Sequence, residues 1–168
     1  VLSPLLDSLL VDHRPLLANF ISKGRGPGGA MPPHQDWTFV DEPGSASLNV
    51  WVPLTSVDGR NGAVSVLPRS HRTSDTIRGT DTPNAFCAVE ELAAQRMVEL
   101  DMRAGDVLVH DHRLLHSSPP NRRRRARVVA GCAVIADGAA PIHYRKSGPG
   151  RVERYELDPS FFLEHTYG

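Results

Sequence analysis

Leu2, Leu5, Leu6, Leu9 and Leu10 recur at helical spacing, with Ser3 placed to cap and Pro4 suited to a first turn. They predict a short helix lying over one side of a core. Pro15 ends that pattern, and residues 16–22 read as extended. Residues 45–54 switch to a period of two: Leu48, Val50 and Val52 share one face, Asn49 and Trp51 the other. Further strands are predicted over 64–68, 98–102, 107–109 and the long apolar run 126–136, and a helical turn or two over 89–96. Glycine and proline crowd 23–33 into a loop, and Asp58-Gly59 and Asn61-Gly62 mark turns. The tail, 141–168, mixes charge with aromatics and suggests a short helical or packing segment at 160–165. Many short strands with few helices predict a mainly β sandwich or barrel with helical cover.

Composition narrows this reading only slightly. The 168 residues suit a single domain over 1–168, and the start at Val1 rather than Met leaves its N-terminal part to be treated as incomplete. Lys plus Arg equals Asp plus Glu at 19 each, so nothing in the balance points to nucleic acid. The run Arg122 to Arg125 reads as a solvated loop, with a minor role toward an anionic substrate tail as its other reading. Cys87 and Cys132 are far apart without metal-type spacing, which fits a reduced, cytoplasmic setting. No stretch is apolar enough to span a bilayer, and no secretory leader is visible. The expected partner is a small molecule, and the oligomeric state is not legible.

The chemistry centres on Pro33-His34-Gln35-Asp36-Trp37. In a strand or strand end, residues i and i+2 share a face, so the His34 imidazole and the Asp36 carboxylate can converge on one ion. A third ligand must come from elsewhere, and His116 is the best candidate. Two histidines and one carboxylate on one side of an ion, with the opposite positions open, form the facial triad of non-haem Fe(II) oxygenases. A lone His-x-Asp more often marks a structural or solvated site. His110 and His112 share the strand parity of His116 and stand as its rivals, or as residues orienting a ligand. His71 reads as the donor of a turn-stabilising hydrogen bond.

The ordered set His34-Gln35-Asp36, Trp51-Val52-Pro53-Leu54, Asn61-Gly62-Ala63-Val64, Leu67-Pro68-Arg69-Ser70-His71, Ala104-Gly105-Asp106-Val107, Leu114-Leu115-His116-Ser117-Ser118 and Arg127 resembles the phytanoyl-CoA dioxygenase family of Fe(II)/2-oxoglutarate oxygenases. The resemblance covers about residues 30–136. It implies a double-stranded β-helix, or jelly roll, with iron at one open end. It also implies Fe(II), 2-oxoglutarate and O2 as the reacting set, with hydroxylation of an unactivated C–H bond and release of succinate and CO2. Carried over, His34, Asp36 and His116 would be the iron ligands, and Arg127 would bind the far carboxylate of 2-oxoglutarate. Trp51 and Ser118 would line the cosubstrate pocket, with Asn49 and Gln35 as further candidates. A guanidinium suits a buried dianion because its planar fork matches a carboxylate. Arg125 has the same parity as Arg127 and is its rival. Two other classes compete: a non-catalytic jelly-roll binding protein, and a cupin-type metalloenzyme that does not use 2-oxoglutarate.

Overall fold

The computed structural model describes residues 3–73 and 76–158. The predicted N-terminal helix is α1, Ser3–Leu9, and the expected segment at 160–165 lies outside the described residues. Strand β1, His13–Lys23, begins two residues before Pro15 and tolerates it at an irregularity of its pairing. Then come β2, Met31–His34, β3, Ser47–Pro53, and β4, Ser65–Val66. Helix α2, Glu90–Ala94, is followed by β5, Val98–Glu99, β6, Leu108–Asp111, β7, His116–Ser118, and β8, Arg127–Ala136. The chain closes with β9, Ile142–Gly148, and β10, Arg151–Glu156, an antiparallel hairpin. No helix among the described residues is long and apolar enough to cross a membrane.

Two antiparallel four-stranded sheets make the body, in the orders β1-β8-β3-β6 and β2-β7-β4-β5. They form the jelly roll that the family resemblance implies. Strands β3 and β8 lie at the centre of the first sheet, and both their faces are covered. Trp51 and Val129 point inward and pack on Val57, Ala63 and Val64, while Val50, Val52 and Val134 pack outward under Leu6 of α1. This explains the dense apolar content of β8, since a strand buried on two faces has no polar side to show. A third cluster, Phe39, Val40, Ile135 and Leu157, closes one end.

Register then positions chemistry. Inward positions on β8 are Arg127, Val129, Gly131 and Ala133, and their β1 partners are Lys23, Ile21, Asn19 and Leu17. On β3 the inward side carries Ser47, Asn49 and Trp51, with Asn49 facing His110 of β6 across the pair. In the second sheet, His34 of β2 sits directly opposite His116 of β7.

Candidate functional site

Strand pairing brings the two imidazoles together. Opposed residues of an antiparallel pair place their side chains about 5 Å apart on one face, and the His34 and His116 ring centroids are 4.3 Å apart. Asp36 follows on the loop after β2. Its amide donates to the His112 carbonyl at 2.9 Å, which turns its carboxylate back toward the histidines. Asp36 Oδ1 lies 3.7 Å from His116 Nε2. One ligand atom from each of His34, Asp36 and His116 lies within 4.8 Å of the other two.

Hydrogen bonds orient all three. His34 Nδ1 donates to the Pro32 carbonyl at 2.7 Å, and His116 Nδ1 to the Leu114 carbonyl at 2.9 Å. Each ring therefore presents the lone pair of Nε2 to the common centre. Asn49 Nδ2 donates to Asp36 Oδ2 at 3.0 Å and leaves Oδ1 facing the centre. Burial alone would raise the Asp36 pKa, but His116, His112 and His110 together with the Asn49 bond hold it at about 2. Burial, partly opposed by Asp36, pushes His116 down to about 4, and His112 likewise. The centre at neutral pH is thus a carboxylate beside a neutral His116.

The rivals fall elsewhere. His110 is buried inside the first sheet, its ring 5.0 Å from that of His116, and His112 packs edge-on against Phe39 and shares a hydrogen bond with Ser47. Neither belongs to the cluster of ligand atoms. His71 makes no hydrogen bond among the described residues. The turn is braced by Ser70, whose Oγ accepts from the Leu115 amide at 2.8 Å, one residue before His116.

Behind the triad lies a cationic end. Arg127 is buried and its guanidinium sits over the Trp51 ring, Cζ 5.4 Å from the centroid, whereas Arg125 is exposed. Arg127 Nε is buried without a hydrogen-bond partner among the described residues, so a donor waits for an acceptor there. The sequence reading missed Lys23, paired across the sheet with Arg127. Its ammonium donates to Ser118 Oγ and to the Pro119 carbonyl. Burial and the neighbouring Arg127 lower its pKa to about 8. Gly62, at φ 88°, lets the chain pass against it; a Cβ there would stand 2.8 Å from Lys23 Cδ. Parity was the available signal, since Lys23 shares a strand face with Ile21 and Asn19. Of the other candidates, Gln35 bonds at both ends of its amide, to the Arg113 carbonyl and from Thr76. Asn49 touches the carboxylate itself.

The open side of the triad faces a cavity of about 350 Å³ walled by Leu17, Asn19, Ile21, Trp37, Phe39 and Gly131. A second lobe of about 240 Å³ continues past Met31 and Trp37 to Arg78, Pro83 and Phe86. Arg127 and Trp51 line neither lobe.

A family model described as phytanoyl-CoA dioxygenase (PhyH) matches residues 2–129. Among curated proteins, the chain is 28% identical over 139 residues to an Arabidopsis thaliana phytanoyl-CoA dioxygenase, covering 79% of this chain and 49% of that one. It is 28% identical over 116 residues to a Dictyostelium discoideum phytanoyl-CoA dioxygenase domain-containing protein 1 homolog, covering 64% and 41%. The chain thus spans about half the length of these relatives or less. Among solved structures it resembles the epimerase SnoN in complex with Fe3+, alpha ketoglutarate and nogalamycin RO, at 25% identity and TM-score 0.62 over 82% of this chain and 54% of that one. The carbocyclase SnoK from nogalamycin biosynthesis has a TM-score of 0.64 at 22% identity, over 77% and 53%, a likeness of fold.

Proposed function

The chain belongs to the phytanoyl-CoA dioxygenase family, and we propose that it is an Fe(II)- and 2-oxoglutarate-dependent oxygenase that hydroxylates a small organic substrate. The carrying observation is the convergence of His34, Asp36 and His116 within 4.8 Å, backed by a buried guanidinium whose Nε has no partner among the described residues. Two neutral nitrogens and one carboxylate oxygen are the donor set that suits iron with open positions. Iron bound there with 2-oxoglutarate would supply, at the expense of O2, the oxidation of an unactivated C–H bond: one oxygen atom would go to the substrate and the other to succinate as CO2 leaves.

The chain's own residues do the rest. His34, Asp36 and His116 hold the metal from one side. Arg127 receives the far carboxylate, Lys23 adds a second positive charge beside it, and Ser118 is kept in place by Lys23. Trp51 packs under the guanidinium and shields it from water. The cavity takes the substrate. Among the described residues its charged lining is Asp36 and Arg78, and Arg78 is paired with Glu42. A carboxylate or ammonium entering there would find no free partner, at a cost of several kcal/mol. The part of the substrate that reaches the iron is therefore uncharged and apolar-faced, with the neutral amide of Asn19 available to it.

Succinate formation from 2-oxoglutarate, measured with and without added Fe(II), tests the proposal. Wild type should turn over only with iron, and Asp36→Ala should lose turnover by at least about a hundredfold. Absence of divalent metal binding by wild type would refute it. Metal and 2-oxoglutarate binding with no succinate under any substrate would select a binding protein instead.

A further inference from the structure

We propose that Arg78, braced by Glu42, is a positioning residue that holds the backbone of Asp36 and so sets where its carboxylate meets the metal. This rests on the reading of His34, Asp36 and His116 as the metal site. Arg78 is 7% exposed, and its ion pair with Glu42 is almost dry, at 9% exposure for each side chain. Its Nε donates to the Asp36 carbonyl at 2.7 Å. Nη1 donates to Glu42 Oε2 at 3.0 Å and to the Thr76 carbonyl, and Nη2 donates to the other Glu42 oxygen.

The guanidinium is the centre of a wider seam. The Thr38 amide donates to the Arg78 carbonyl at 3.0 Å, and the Arg78 amide donates to Thr38 Oγ1 at 3.2 Å. Thr76 Oγ1 donates to Gln35 Oε1, and Asn84 Nδ2 donates to the Pro33 carbonyl at 2.8 Å. The segment from 76 to 84 therefore bonds to Pro33, Gln35, Asp36 and Thr38, on both sides of His34 and along the run that carries the carboxylate. The same segment walls the outer lobe of the cavity.

Stability alone does not account for the pair. A buried ion pair is often no better than apolar residues of similar volume. What a guanidinium adds is a planar fork, able to meet a carboxylate with some of its donors and a backbone carbonyl with another. The carbonyl it meets belongs to Asp36. That residue is then fixed at three points: its amide by His112, its carbonyl by Arg78 and its Oδ2 by Asn49. Loss of one such support typically weakens metal binding 10- to 100-fold.

Co(II) titration of the metal-free protein, read by visible absorption and corrected for folded fraction, tests the assignment without turnover. Arg78→Lys keeps the charge but not the fork, and should weaken Co(II) binding at least about tenfold and alter the band shape. The double variant Arg78→Met with Glu42→Leu removes both charges, so it avoids stranding one, and should do the same. Leu6→Ala, in the outward cluster under α1, sets what a plain loss of stability does and should leave the affinity unchanged. Affinities within twofold of wild type and an unaltered spectrum in both Arg78 variants would overturn the proposal. Wild type that binds no Co(II) would overturn the metal-site reading beneath it, a distinguishable failure.

Discussion

At the scale of single residues, the two ends of the site make different demands. Arg127 faces inward with a buried Nε that finds no hydrogen-bond partner among the described residues. Burial also lowers its pKa, the direction expected of a cation lacking a counter-charge. A dianion arriving there relieves both conditions. Arg127→Lys should therefore raise the KM for 2-oxoglutarate about 10- to 100-fold with little change in kcat, because one ammonium cannot make paired bonds to a carboxylate. Succinate formation against 2-oxoglutarate concentration checks it. Arg125→Ala should leave KM unmoved, since Arg125 is exposed; the reverse pattern would transfer the role. At the metal end, Asn49→Leu removes the donor to Asp36 Oδ2 and frees the carboxylate to rotate. Co(II) affinity should fall about tenfold, and an unchanged titration would show that the bond at 3.0 Å does nothing for the metal.

At the scale of elements, legibility followed periodicity. Strands β3 and β8 and helix α1 were readable because each repeats apolar residues at its own period and buries them. Strand β2 was hidden because Pro32 and Pro33 read as a loop, yet extended backbone at a sheet edge accommodates proline. The β9–β10 hairpin was hidden because it is largely exposed, so no apolar alternation marks it. For the site, His34, Asp36 and His116 were legible as a motif with a spacing. Lys23, Glu42 and Arg78 were not, because a lone charge carries no local pattern and its partner lies far along the chain. The elements also separate stability from chemistry. Strand β8 presents Arg127 inward at its start and Val134 outward under Leu6. Leu6→Ala should cost about 2–5 kcal/mol and lower Tm by on the order of 10 °C, with metal affinity intact. Calorimetry beside a Co(II) titration would reveal any coupling between the two.

At the scale of the whole molecule, the site is a store of unfavourable protonation that metal relieves. His112 and His116 are held neutral, at about 4 against an ordinary 6.5. Between those values the unfolded chain binds more protons than the folded one, so stability must fall as pH drops from 6.5 to 4. Asp36, held at about 2 against an ordinary 3.8, contributes stability present above 3.8 and lost as pH falls toward 2, in the same direction. The metal-free protein should therefore lose Tm steadily through that acid range. His112→Asn removes one of the buried imidazoles without removing a ligand, and its profile between pH 6.5 and 4 should be shallower. Metal acts in the opposite sense, because it binds only deprotonated ligands. Ni(II) at a hundred times its Kd should add about 2.7 kcal/mol at pH 7, or about 5–10 °C in Tm for a chain of 168 residues. That increment should shrink as pH approaches 4, where His116 takes up a proton in competition with the metal, and vanish in Asp36→Ala. Thermal melts over pH, with and without Ni(II), supply both slopes. An increment that survives in Asp36→Ala would mean the ion sits somewhere other than between these three side chains.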